Sequence, residues 1–170
     1  TGIRRCGKST LMEIFQDHLR STGVENSQIL HVNFEDFDYR PLRDPAALHS
    51  YITERMARDR MTYVFLDEIQ HVPDWQDVVD SLHLRKNLDI YITGSNAYLL
   101  SSEIATLISG RYVEIKMLPL SFREFVSATG GEANLPKAYR QYVESSSFPY
   151  ALALLDHPKE LRDYLEGIYN

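Results

Sequence analysis

Apolar and polar positions along this chain follow two rhythms that trade places repeatedly. In STLMEIFQDHLRSTG, residues 9–23, Leu11, Ile14, Phe15, His18 and Leu19 recur at helical spacing. The run stops at Gly23, which predicts a helix. QILHVNFED is a short apolar run ending in acids and predicts a strand. DPAALHSYITERMARDR predicts a helix, with Asp44 as N-cap and Pro45 in the first turn. MTYVFLDE is almost continuously apolar, the pattern of a parallel strand buried on both faces. DWQDVVDSLHLRK predicts a helix, and LDIYITGSN a strand ending in small polar residues. SSEIATLISG predicts a short helix between a Ser cap and a Gly stop, and RYVEIKML a last strand before Pro119. From Ser121 onward, SFREFVSAT, LPKAYRQYVESS, PYALALLD and PKELRDYLEGIYN are all helical in pattern. Alternating strands and helices predict an α/β layered domain with a parallel sheet, and strands cease near residues 118–121.

Composition narrows the class. The 170 residues are enough for a domain with a real core. With 44% hydrophobic and 25% charged residues, the chain is ordinary for a globular protein. A net charge of −6 argues against a whole-domain basic footprint for nucleic acid and leaves a local patch open. The single cysteine excludes an intrachain disulfide and fits a reducing cytoplasm. No apolar run approaches the roughly 18–20 residues of a membrane span, so no membrane partner is expected. The six histidines have no metal-ligand spacing with Cys6, so no zinc site is expected.

The first ten residues, TGIRRCGKST, raise the first chemical possibility. Gly2 through Ser9 fit G-x-x-x-x-G-K-[ST], the phosphate-binding loop or Walker A motif. Triphosphate oxygens need many donors at short range, and a loop that turns its N–H groups inward supplies them. The helix that follows adds its unpaired N-terminal donors and positive dipole end. Lys8 would reach the β- and γ-phosphates, and the Ser9 hydroxyl would ligate Mg²⁺. The alternative is a glycine turn before an amphipathic helix. Cys6 reads as a small spacer in the loop, and Arg4 and Arg5 as phosphate contacts, partner contacts or solvated positions.

YVFLDEIQ supplies the partner motif. An apolar strand ending in acids delivers carboxylates to the crevice where ligands bind in open α/β sheets. Asp67 would hold Mg²⁺, which keeps several of its waters, and Glu68 would act as general base toward an attacking water. The alternative is a buried strand followed by solvated acids. One strand-and-helix unit, residues 28–60, separates the two motifs. That spacing fits the ATPases with an inserted strand and a catalytic Glu, and speaks against a small-molecule kinase. The next strand ends in Thr93-Gly94-Ser95-Asn96. Asn96 and Ser95 are candidates to sense the γ-phosphate, with Thr93 behind them; a turn satisfying its own backbone is the alternative. Arg111, after Gly110, could offer its planar fork to a neighbouring subunit's γ-phosphate, or simply face solvent at a helix end. Trp75 is expected to anchor a helix on the sheet, with adenine stacking as the alternative.

TGIRRCGKSTLM, VFLDEIQ, DIYITGSNAYLL, LISGRYVEIKMLPLSFREF and YLEGIYN, in that order, resemble bacterial and archaeal AAA-type P-loop ATPases that carry a C-terminal domain of uncharacterised function. The resemblance spans nearly the whole chain. It implies a three-layer sandwich with a parallel sheet over residues 1–120, then a helical lid or the start of a winged-helix-like segment over 121–170. It also implies a nucleotide cradle of Gly2, Ile3, Arg4, Arg5, Cys6, Gly7, Lys8, Ser9 and Thr10. Mg²⁺ would sit on Ser9 and Asp67, and Glu68, Asn96 and Arg111 would serve catalysis, Arg111 within a homo-oligomer. The expected activity is hydrolysis of ATP coupled to a change in an attached domain or partner. A nucleotide-gated binding module with little hydrolysis is the alternative. No client is named by the sequence. Two departures stand out. Ser146-Ser147-Phe148-Pro149 replaces the family's usual Gly-Gly-Phe-Pro. The strand that the family places before the loop is also absent, which implies a piece of a longer ATPase. That strand would lie mid-sheet, leaving a slot between the strands expected at 89–94 and 112–117.

Overall fold

The computed structural model describes residues 1–94 and 110–169. The chain divides into two compact units: Thr1–Gly2 with Lys8–Ile115, and Ile3–Gly7 with the residues from Lys116 on.

The first unit is built on three parallel strands, β1 (Ile29–Asn33), β2 (Thr62–Asp67) and β3 (Leu88–Ile92), in that spatial order. The register sets Asn33 opposite Asp67 and Leu66 opposite Ile92. The reason β2 reads as one apolar run lies in its two faces. Val64 and Leu66 enter a core with Leu48 and Ile52 of α2 (Pro45–Arg55) and Val78, Val79 and Leu82 of α3 (Trp75–His83). Phe65 points the other way, onto Met12 and Leu19 of α1 (Lys8–Ser21), and stacks on Tyr91 with ring centroids 4.9 Å apart. Helices on both sides of a parallel sheet make three layers, the α/β architecture of P-loop nucleotide-binding domains. Trp75 is buried in the α2–α3 core. Asp44 caps α2 by accepting from the Ala47 amide at 2.8 Å, with Pro45 at the first helical position.

Two expectations need correction. The helix over residues 44–60 ends at Arg55, because Met56 turns to an extended conformation and the Ala57 amide bonds the Thr62 hydroxyl instead of continuing the helical ladder. The strand expected over 111–118 does not form; Met117 makes only an isolated bridge. Val113 is 91% exposed and Ile115 62%. A strand exists through its ladder, and among the described residues β3 ends the sheet with no element beside it to pair with. The expected slot therefore has no strand on its far side among the described residues. The helix expected over 101–110 lies almost wholly outside the described residues.

The second unit is helical, as the apolar pattern requires: α4 (Phe122–Thr129), α5 (Leu135–Ser145), α6 (Pro149–Ala153) and α7 (Pro158–Tyr169). Ser121 and Glu124 form a capping box at the start of α4. Hydrogen bonds from the Ser121 hydroxyl and amide hold the Glu124 carboxyl below its usual range. Phe125 is fully buried, and its ring meets Tyr142 edge-on at 5.3 Å. Ser146 adopts φ 74° and ψ 167° at the junction between α5 and α6.

Candidate functional site

Alternation along β2 puts Asp67 on the same face as Phe65, the side covered by α1. Lys8 is the first residue of α1. The two motifs, 58 positions apart in sequence (67 − 9), are therefore expected to meet at the C-terminal tip of the sheet. The Lys8 ammonium lies 3.9 Å from Glu68 Oε1 and donates to the Gly2 carbonyl at 3.3 Å. Lys8, Asp67 and Glu68 are 6%, 1% and 9% exposed. Charged groups so buried need partners. Glu68 has the Lys8 ammonium near Oε1 and the Gln70 amide donating to Oε2. Asp67 Oδ1 accepts from the Thr93 hydroxyl.

The loop before α1 has the backbone that its glycines permit. Gly7 takes φ 96°, and Arg5 is left-handed at φ 65°. A Cβ on Gly7 would meet nothing closer than the Pro149 side chain at 3.8 Å, so conformation rather than space calls for glycine there. Gly2, Cys6 and Lys8 are buried, Gly7 and Ser9 partly so, and Ile3, Arg4, Arg5 and Thr10 are exposed. Arg5 lies over the Tyr164 ring, 5.4 Å from its centroid, within the helical unit. Burial is the main reason the Tyr164 hydroxyl titrates above its ordinary value. The first turn of α1 carries no acidic side chain of its own to compete for its donors and dipole end.

Mg²⁺ fits this donor set. Among the described residues no three His, Cys, Asp or Glu side chains gather as a cage. Mg²⁺ bound with a triphosphate needs only one or two protein oxygens, keeping waters and phosphate for the rest. The Asp67 carboxylate and the Ser9 hydroxyl are hard oxygen donors of that kind.

The remaining expected site residues lie apart or beyond description. Asn96 and Ser95 fall outside the described residues. Arg111 bonds Asp80 of α3 at 2.5 Å, each side chain about half exposed, and so is held in an ion pair within its own chain. Two contributors were not assigned these roles from the sequence. Thr93 ranked behind Asn96 and Ser95 as a phosphate contact, yet its hydroxyl faces Asp67; its position at the end of β3 was the available signal. Gln70 carries no pattern that would mark it.

A family model described as an AAA domain matches residues 1–126. An uncharacterised protein of Haemophilus influenzae is 41% identical over 174 aligned residues, covering all of this chain and 43% of that protein. An uncharacterised protein of Methanocaldococcus jannaschii is 32% identical over 185 aligned residues, covering 99% of this chain and 40% of its own length. The chain spans about two fifths of the length of these relatives.

Proposed function

The chain belongs to the AAA-domain family, and on that premise we propose that it binds ATP with Mg²⁺ and hydrolyses it. The observation that carries this reading is the approach of the Lys8 ammonium to the Glu68 carboxylate, 3.9 Å, both buried, with buried Asp67 adjacent in the chain. In the proposed site the α1 donors and the loop amides of Gly2 to Ser9 receive the phosphates, and Lys8 turns from Gly2 and Glu68 toward the β- and γ-oxygens. Ser9 and Asp67 would hold Mg²⁺, which when bound would screen phosphate charge and polarise the γ-phosphoryl group. Glu68, freed of Lys8, accepts a proton from a water that attacks the γ-phosphorus. The bond to the bridging oxygen breaks, releasing ADP and phosphate.

Asn96 belongs to this proposal as a γ-phosphate sensor. Arg111 belongs as a finger for a neighbouring copy, which requires exchanging Asp80 for phosphate. The exposed pair is weak enough for that, at roughly 0–1 kcal/mol. The turnover would drive an attached domain or partner, in the cytoplasm. No described helix is long and apolar enough to cross a membrane. A second reading, a nucleotide-gated module with little turnover, is favoured by one contact: Gln70 engages the carboxylate that must meet water.

Single-turnover hydrolysis by the full-length protein separates the two. Glu68→Gln is expected to bind ATP as wild type does and to hydrolyse it about 10²–10⁴-fold more slowly. Equal slow rates in both would leave the module reading.

A further inference from the structure

Thr93 has no role in the phosphate, metal or proton chemistry proposed above, yet four consecutive residues at the tip of β2 are tied to it. We propose that Thr93 is a positioning residue that sets the Asp67 carboxylate and the Glu68 backbone together, through one hydroxyl. The proposal rests on reading this site as the ATP site.

The hydroxyl has one proton and two lone pairs to spend. The proton goes to Asp67 Oδ1, and a lone pair accepts the Glu68 amide at 3.1 Å. Main-chain bonds brace the same residue from either side: the Thr93 amide donates to the Leu66 carbonyl at 2.9 Å, and the Ile69 amide donates to the Thr93 carbonyl at 3.1 Å. Thr93 is 7% exposed, so water does not substitute freely for these bonds.

What they hold is a conformation with a cost. Glu68 sits at φ 56°, ψ 49°, in the left-handed region, without being glycine. That conformation is strained for a residue with a Cβ and persists where surrounding bonds over-determine it. Release of the Glu68 amide would let the peptide relax and carry the carboxylate off its line to the site. Release of Asp67 Oδ1 would free the metal-facing carboxylate to rotate. Removing a side chain that orients a metal-binding carboxylate commonly costs about 10–100-fold in metal affinity or activity.

Thr62 gives a matched control. It is fully buried, at the opposite end of β2, and its hydroxyl accepts the Ala57 amide. Its loss should lower stability without touching the metal.

The test uses full-length protein carrying Thr93→Val, Thr93→Ser or Thr62→Val. Binding of a fluorescent ATP analogue is titrated at graded Mg²⁺, and single-turnover hydrolysis is measured beside it. For Thr93→Val, half-maximal tight binding is expected to need about 10–100-fold more Mg²⁺, with hydrolysis slowed at least about tenfold. Its metal-free nucleotide affinity is expected to stay within about threefold of wild type, since the hydroxyl's proton is committed to Asp67. Thr93→Ser keeps the hydroxyl and is expected within about threefold of wild type in every readout. Thr62→Val is expected to melt earlier and keep the wild-type Mg²⁺ dependence. Wild-type Mg²⁺ dependence in Thr93→Val, or an equal loss in Thr93→Ser, overturns the assignment while leaving the ATPase reading intact. Should the valine variant not fold, the serine variant decides alone: retained parameters support the role, and a tenfold loss overturns it. A wild-type protein that binds no nucleotide overturns the ATP-site reading, and this inference with it.

Discussion

Lys8 is turned onto the Gly2 carbonyl and the Glu68 carboxylate, and Gly7 just before it holds a backbone that other residues resist. At φ 96° an alanine would be strained although its Cβ would make only ordinary contacts. Gly7→Ala is therefore expected to destabilise by about 1–2 kcal/mol from conformation alone. Urea denaturation followed by tryptophan fluorescence at Trp75 measures it; an unchanged midpoint would contradict the strain. At this scale the sequence was informative where a residue's chemistry fixes its place. Lys8, Asp67 and Glu68 are named by motif, and the fold draws Lys8 and Glu68 together. It was less informative where a hydroxyl can serve several partners. A threonine hydroxyl suits a phosphate or a neighbouring acid, and nothing in the sequence sets Thr93 beside Asp67; the pairing of β2 with β3 does.

Elements were legible to the extent that their bonds are local or their faces both covered. Asp44-Pro45 announces α2, and the unbroken apolar run of β2 announces helices on both sides, as α1 and the α2–α3 pair provide. Residues 111–118 have a strand's composition, but a strand is completed by a neighbour, and its apolar residues Val113, Ile115 and Leu118 stay exposed. The junction from α5 to α6 carries a departure legible in sequence. Ser146 occupies φ 74°, ψ 167°, a region open essentially to glycine, where the resembled family has glycine. Ser146→Gly is expected to raise stability by about 1 kcal/mol, strain relief exceeding glycine's added chain entropy. A thermal midpoint that falls would contradict this. The capping box of α4 has a pH signature. Its Glu124 carboxyl is held low by Ser121, so it contributes stability above the ordinary carboxylate range and loses it as pH falls through the depressed value. The Ser121 amide resonance is expected to titrate with a midpoint below that of an ordinary glutamate; a midpoint at or above the ordinary value would remove the cap's contribution.

On the scale of the whole molecule, the chain is an AAA-family domain of parallel sheet and helices followed by a helical unit, and it spans about two fifths of its relatives. Its fold class was legible because alternation of strand and helix is a property of the whole pattern, robust to one strand that does not form. Its client was not, since nothing in the charge, composition or described surface singles out a partner. What the molecule does therefore turns on whether the buried ammonium and carboxylates of the first unit serve a nucleotide. The most direct measurement is calorimetric titration of Mg-ATP into the full-length protein, wild type against Lys8→Ala. The account predicts saturable binding by wild type and a loss of about 10–150-fold in the variant, the worth of charge-assisted bonds of about 1.5–3 kcal/mol. Binding of equal strength in both proteins would contradict it.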